Sequence, residues 1–165
     1  MKAKKSLGQH FLKSEEALTH IIEASREIKA DFVLEIGPGM GVLTEKLLEN
    51  FGKVVAVETD NRMVNFLNTK FKSEIEVGKL ILIEKDILQF DIKQLKNFGE
   101  TYQIVANIPY YITGEILRMF LGAEFQPKGV VFLVQKEVAE RIVAKDGKQS
   151  ILSIAVAVFG KSRLG

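Results

Sequence analysis

An open α/β fold, with a mostly parallel sheet and helices on both faces, is what this 165-residue sequence predicts. Three observations carry the expectation. Short, almost wholly apolar runs such as Phe32–Ile36, Val54–Val57 and Leu80–Ile83 read as strands buried on both sides. Between them lie amphipathic stretches long enough for helices, and parallel strands need such crossovers. Directly after the first strand comes Gly37-Pro38-Gly39-Met40-Gly41, at the kind of junction where open α/β sheets take ligands.

Each element has its own justification. Ser14-Glu15-Glu16 can cap a helix whose stripe is Leu18, Ile21, Ile22 and Ile28. Phe32–Ile36 is strand one. Val42 to Asn50 is a helix closed near Gly52, and Val54–Val57 is strand two. A helix from about Arg62 to Phe71 leads to strand three, Leu80–Ile83, and strand four ends Ile104-Val105-Ala106. Thr113 to Leu121 is expected to be helical, Gly129 to Val134 to be strand five, and Lys136 to Ala144 a further helix. Ile151 to Phe159 is a last apolar run, after which the chain is expected to stop short of a finishing element. No repeat or interdomain linker interrupts the pattern, so residues 1–165 are read as one domain.

Composition narrows the classes. There is no cysteine, which excludes a disulfide framework and thiolate catalysis and fits a reducing compartment. No run approaches the roughly 20 apolar residues of a membrane span, so a soluble, cytoplasmic protein is expected. The two histidines, His10 and His20, do not form a ligand cluster, and no metal is expected. Net charge is only +2, but its distribution is uneven. Lys2, Lys4, Lys5 and Lys13 crowd one end; Lys145, Lys148, Lys161 and Arg163 crowd the other. These are either solvated ends or a phosphate-binding surface.

The chemistry-bearing residues all fall at strand ends. Glycines at 37 and 39 allow close backbone approach to a ligand, although the G-x-G-x-G spacing departs from the G-x-G-x-x-G of dinucleotide sites. A tight turn, a dinucleotide site and an S-adenosylmethionine site all remain open on that motif alone. Glu58, ending strand two, can accept from the ribose hydroxyls of an adenosine or be a solvated loop acid. Asp86, ending strand three, can accept from an adenine amino group while Ile87 covers the ring. Strand four ends in Asn107-Ile108-Pro109-Tyr110-Tyr111. The Asn107 amide oxygen and a backbone carbonyl near Ile108 or Pro109 can hold both N–H bonds of an aromatic amine. Proline stiffens those acceptors, and Tyr110 offers a stacking face. The plainer reading is a strand-end turn with a rim tyrosine.

Taken together, Gly37-Pro38-Gly39, Glu58, Asp86 and Asn107-Ile108-Pro109-Tyr110 resemble the ribosomal RNA adenine dimethyltransferases. Gly8-Gln9-His10-Phe11-Leu12 is similar to the family's amino-terminal segment, which folds over the cofactor. Glu35–Gly39 and Val134–Arg141 are closer to the KsgA branch than to the erythromycin-resistance (Erm) branch. The resemblance runs from Ser6 to about Ala157. It implies a Rossmann-like class I S-adenosylmethionine-dependent methyltransferase fold, acting on N6 of two adjacent adenines near the 3′ end of 16S ribosomal RNA in the small subunit. It implies cofactor contacts from His10, Leu12, Gly37, Gly39, Glu58, Asp86, Ile87 and Asn107, and catalytic contacts from Asn107, Ile108, Pro109 and Tyr110. A monomer is expected, with no metal. The family usually has Asn at position 10, Leu at 108 and Asn at 111, where this chain has His10, Ile108 and Tyr111. Relatives also continue into closing strands and a small helical domain. An Erm-type enzyme acting on large-subunit RNA and a non-catalytic RNA-binding assembly factor are the competing expectations.

Overall fold

The structure, a computed structural model, describes residues 15–133. Its centre is a five-stranded, wholly parallel sheet in the order β3-β2-β1-β4-β5. The strands are β1 Phe32–Ile36, β2 Val54–Glu58, β3 Leu80–Glu84, β4 Tyr102–Ala106 and β5 Val130–Phe132. The helices are α1 Glu15–Glu27, α2 Val42–Asn50, α3 Asn61–Lys70, α4 Lys72–Glu76 and α5 Tyr110–Leu121. The expected α/β architecture is therefore present.

Alternation along each strand divides the core in two. Val33, Val54, Ala56, Leu80, Val105 and Val131 face the side covered by α1, α2 and α3, where Ile21, Leu43, Leu47 and Leu67 are buried. Phe32, Leu34, Ile36, Val57, Ile104 and Phe132 face the other side, closed by Ile116, Leu117 and Phe120 of α5. Both faces of β1, β2 and β4 are thus dry, which accounts for the nearly unbroken apolar runs.

Three local features were not specified by the sequence or differ from what it specified. The crossover from β3 to β4 carries no α-helix. Instead, Asp86 accepts from the Leu88 N–H and Asp91 from the Lys93 N–H, and each opens a 3₁₀ turn, Ile87–Gln89 and Ile92–Asn97. Phe90, Ile92 and Leu95 from those turns fill the α5 side of the core. The short helix α4 was also not anticipated. Finally, α5 begins at Tyr110, three residues before the expected Thr113, because Pro109 is its N-cap residue. Proline's fixed φ, here −56°, suits a helix start, where the missing N–H does no harm. The predicted cap at Ser14, the helix 136–144, the run 151–159 and the lysines of both ends lie outside the described residues. No described helix is long and apolar enough to cross a membrane.

Candidate cofactor and base-binding site

The strand order puts the candidate residues in a row. Reading along the carboxyl ends of β3, β2, β1 and β4, the chain presents Asp86, Glu58, Gly37 and Asn107. Gly37 and Asn107 flank the gap between β1 and β4, where the strand order reverses, and α5 packs against the turn that follows Asp86.

The glycine loop is built for access. Gly37 and Gly39 have φ of +66° and +56°, and a Cβ on either would meet nothing within 4 Å among the described residues. These two need glycine for conformation and leave open space above the backbone. Gly41 shares the positive φ, at +76°, but has no free space: its Cβ would lie 2.6 Å from Phe71 and 2.7 Å from Leu67. It lets the start of α2 pack closely on the end of α3. The loop is pinned by the Gly37 N–H donating to the Val57 carbonyl at 2.9 Å and the Gly41 N–H to the Pro38 carbonyl at 2.9 Å.

Glu58 does more than wait for a ligand. It is only 7% exposed. Its Oε1 accepts from the Thr59 and Asp60 N–H groups at 2.8 and 2.9 Å, and its Oε2 from the Gly39 N–H at 3.0 Å. The solvated-acid alternative does not describe such a side chain. A carboxylate has about four acceptor sites. With three used, one sugar hydroxyl can add directly, and a second would displace Gly39.

Asp86 is half-buried and uses Oδ1 on the Leu88 N–H. Ile87 is packed into the core cluster with Ile108 and Ile116 and is 7% exposed, while its neighbour Leu88 is 42% exposed. Leu88 is the apolar side chain standing at the rim there; sequence reading passed over it. Asn107 is half-buried at the end of β4. Ile108 is 7% exposed and belongs to the α5-side core, so its side chain anchors the loop and only its backbone can face a substrate. The Pro109 carbonyl already accepts from the Ile112 N–H and the Thr113 hydroxyl, both at 3.3 Å. Of the two carbonyls expected to serve as second acceptor, that of Ile108 is thereby favoured. Tyr110 opens α5, and Tyr111 beside it is 72% exposed. His10 and Leu12 lie outside the described residues.

Besides Leu88, Glu35 was not singled out from the sequence as a site residue, although it lies in the run Glu35–Gly39. Glu35, in β1, is 1% exposed, and neither carboxylate oxygen has a hydrogen-bond partner. Burial pushes its pKa up to about 8, opposed by the neighbouring Thr44 hydroxyl and reinforced by the charge of Glu58. The signal was legible: a lone acid inside the apolar run Phe32-Val33-Leu34-Glu35-Ile36. Among the described residues no group of three or more His, Cys, Asp or Glu could hold a metal ion.

Comparison with known proteins decides the family. A family model described as ribosomal RNA adenine dimethylase matches residues 1–164. The chain belongs to that family. It is 43% identical over 164 residues to a ribosomal RNA small subunit methyltransferase A of Dehalococcoides mccartyi, covering 99% of this chain and 55% of the relative. A protein of the same name from Fusobacterium nucleatum is 42% identical, with 98% and 60% covered. The chain thus spans little more than half the length of these curated relatives. Among solved structures, a dimethyladenosine transferase from Plasmodium falciparum superposes with a TM-score of 0.65 at 33% identity, over 82% of this chain and 46% of that one. The 23S rRNA methyltransferase ErmE gives 0.67 at 28%, over 85% and 54%. The fold is the Rossmann-like one of S-adenosylmethionine-dependent methyltransferases.

Proposed function

We propose that this chain is the cofactor-binding and catalytic part of a dimethyltransferase that methylates N6 of two adjacent adenines near the 3′ end of 16S ribosomal RNA in the small subunit. We propose that it acts as a monomer in the cytoplasm. The observation that carries the reading is the row Asp86, Glu58, Gly37, Asn107 along four neighbouring strand ends. The open space over Gly37 and Gly39 fits S-adenosylmethionine, which when bound supplies an electrophilic methyl group on a sulfonium. Small-subunit RNA is preferred to large-subunit RNA because the relatives named for the small subunit are 42–43% identical, against 28% for ErmE.

In this reading each residue has a definite task. Glu58 accepts from a ribose hydroxyl, and Asp86 accepts from the cofactor's adenine amino group. Leu88, exposed beside the core-facing Ile87, shields that ring from one side. His10 and Leu12, which lie outside the described residues, are assigned cofactor contacts by the family resemblance alone. The target adenine's amine is a weak nucleophile because its lone pair is delocalised into the ring. The Asn107 amide oxygen and the Ile108 carbonyl accept its two N–H bonds, which favours a pyramidal nitrogen with its lone pair turned toward the methyl group. Pro109 holds those acceptors still, and alignment of this kind accelerates attack without a strong base. Tyr110 stacks on the unstacked base, a contact worth about 1–3 kcal/mol. The methylated nitrogen then loses its proton to water. Incubation with methyl-labelled cofactor and small subunits, large subunits or no RNA tests this directly. Label in small-subunit RNA is expected; label in the large subunit would favour the Erm-type reading.

A further inference from the structure

The buried carboxyl of Glu35 has no place in the scheme above, and its surroundings are unusual. It precedes the glycine loop by two residues, on a strand whose neighbours at its level are Ala56 of β2 and Val105 of β4. Neither oxygen has a partner at full hydrogen-bond geometry. The one described neighbour that acts on it as a donor is the Thr44 hydroxyl of α2, too poorly placed to satisfy it and itself without another partner. Among the described residues the ionisable group acting on it is Glu58, itself held by three backbone N–H groups. Thr44, Ala56 and Val105 bring no charge. No described cation compensates a carboxylate at Glu35, so its buried surroundings favour the neutral acid, in line with a pKa of about 8. An apolar residue would fill the space at lower cost, which makes the retained acid worth explaining.

We propose that Glu35 is a positioning residue whose proton is exchanged for the cofactor's positive charge: protonated before the cofactor binds, it releases its proton to solvent when S-adenosylmethionine seats on Gly37 and Gly39. This rests on the cofactor reading given above. The ligand carries a sulfonium and an ammonium against one carboxylate, so its net charge is positive. A cation arriving at the loop stabilises an anion on the strand that leads into it, in a site of low dielectric, and a sugar hydroxyl brought to Glu58 reduces the repulsion between the two carboxylates. Binding then follows pH by linkage. Below about pH 8, affinity rises with pH by up to about tenfold per unit, and it levels off above.

The test is calorimetric titration of S-adenosylmethionine near neutral pH, in buffers of different ionisation enthalpy, for the wild type and Glu35→Gln. Glutamine copies the shape of the neutral acid and cannot release a proton; any proton carried by the ligand itself cancels in the comparison. At about pH 7 the wild type should release about 0.9 proton more than the variant. Equal proton counts with binding in both proteins would overturn the proposal and leave the cofactor reading standing. Absence of binding to the wild type would bring down both. Infrared difference spectra of the wild type alone give a second readout that needs no variant. A protonated-carboxyl band should vanish on ligand addition; an unchanged band would also overturn the proposal.

Discussion

Replacing Glu58 by glutamine separates its two roles, as a ligand for the cofactor and as a clamp on the glycine loop. The native carboxylate accepts from Gly39, Thr59 and Asp60 at 3.0, 2.8 and 2.9 Å and is almost fully buried. Hydrogen bonds to a charged acceptor contribute roughly 1.5–3 kcal/mol, about twice a neutral one. Glutamine keeps one accepting oxygen and turns an NH₂ group toward at least one of those N–H donors. The folded state should therefore lose roughly 2–4 kcal/mol, read from the midpoint of denaturant unfolding. The ligand loses its charged acceptor as well. Its affinity should fall about tenfold to a hundredfold, corresponding to roughly 1.5–3 kcal/mol, measured by calorimetry on protein shown to be folded. A folded variant with an unchanged dissociation constant would refute the ligand role. Loss of affinity with no loss of stability would refute the clamp.

Other perturbations separate the remaining parts. Asn107→Ala should abolish transfer in single-turnover assays while cofactor affinity changes only modestly, because its main contact is made in the transition state. Gly37→Ala forces a side chain into φ +66° and into the ligand's space; it should cost about 1–2 kcal/mol of stability and weaken cofactor binding. Gly41→Ala meets the same left-handed strain at φ +76° and in addition collides with Phe71 and Leu67, and should cost about 2–4 kcal/mol in unfolding experiments. Glu35 has a folded-state pKa of about 8, above its ordinary 4.5, so between these values the native state holds a proton that the unfolded chain has released. Its contribution is complete below about pH 4.5 and lost as pH rises through about 8. Glu35→Gln should flatten that decline, on the order of a few kcal/mol, in unfolding measured across the window. Removing the charges of Lys4 and Lys5 should reduce the log–log salt slope of RNA binding by roughly 0.7–0.9 per lost phosphate contact, with cofactor affinity unchanged.

The strands were legible because both faces of the sheet are covered, so each appears as an apolar run; β1, β2 and β4 are buried at every position. The glycine loop, Glu58, Asp86 and Asn107 were legible for a related reason, since polar residues ending such runs have no core to join. The β3–β4 crossover was not. Its Asp86 and Asp91 each cap a 3₁₀ turn through side-chain bonds two residues long, a local device with no helical period to detect. The start of α5 was misjudged because Pro109 reads as a turn residue and serves as a helix N-cap. The roles of Ile87 and Ile108 needed the packed structure as well. Both are apolar residues beside a polar motif, and only the core cluster shows that they point inward while Leu88 and Tyr111 remain at the surface. Glu35 was visible as an anomaly in its strand, but its missing partners belong to three dimensions.

The most direct test is nucleoside mass spectrometry of small-subunit RNA after reaction with S-adenosylmethionine, comparing the wild type with Asn107→Ala. The proposed function predicts N6,N6-dimethyladenosine at adjacent adenines near the 3′ end, and the place of Asn107 at the end of β4 makes it dependent on that residue. Methylation confined to large-subunit RNA, or no methylation by protein that demonstrably binds the cofactor, would contradict it.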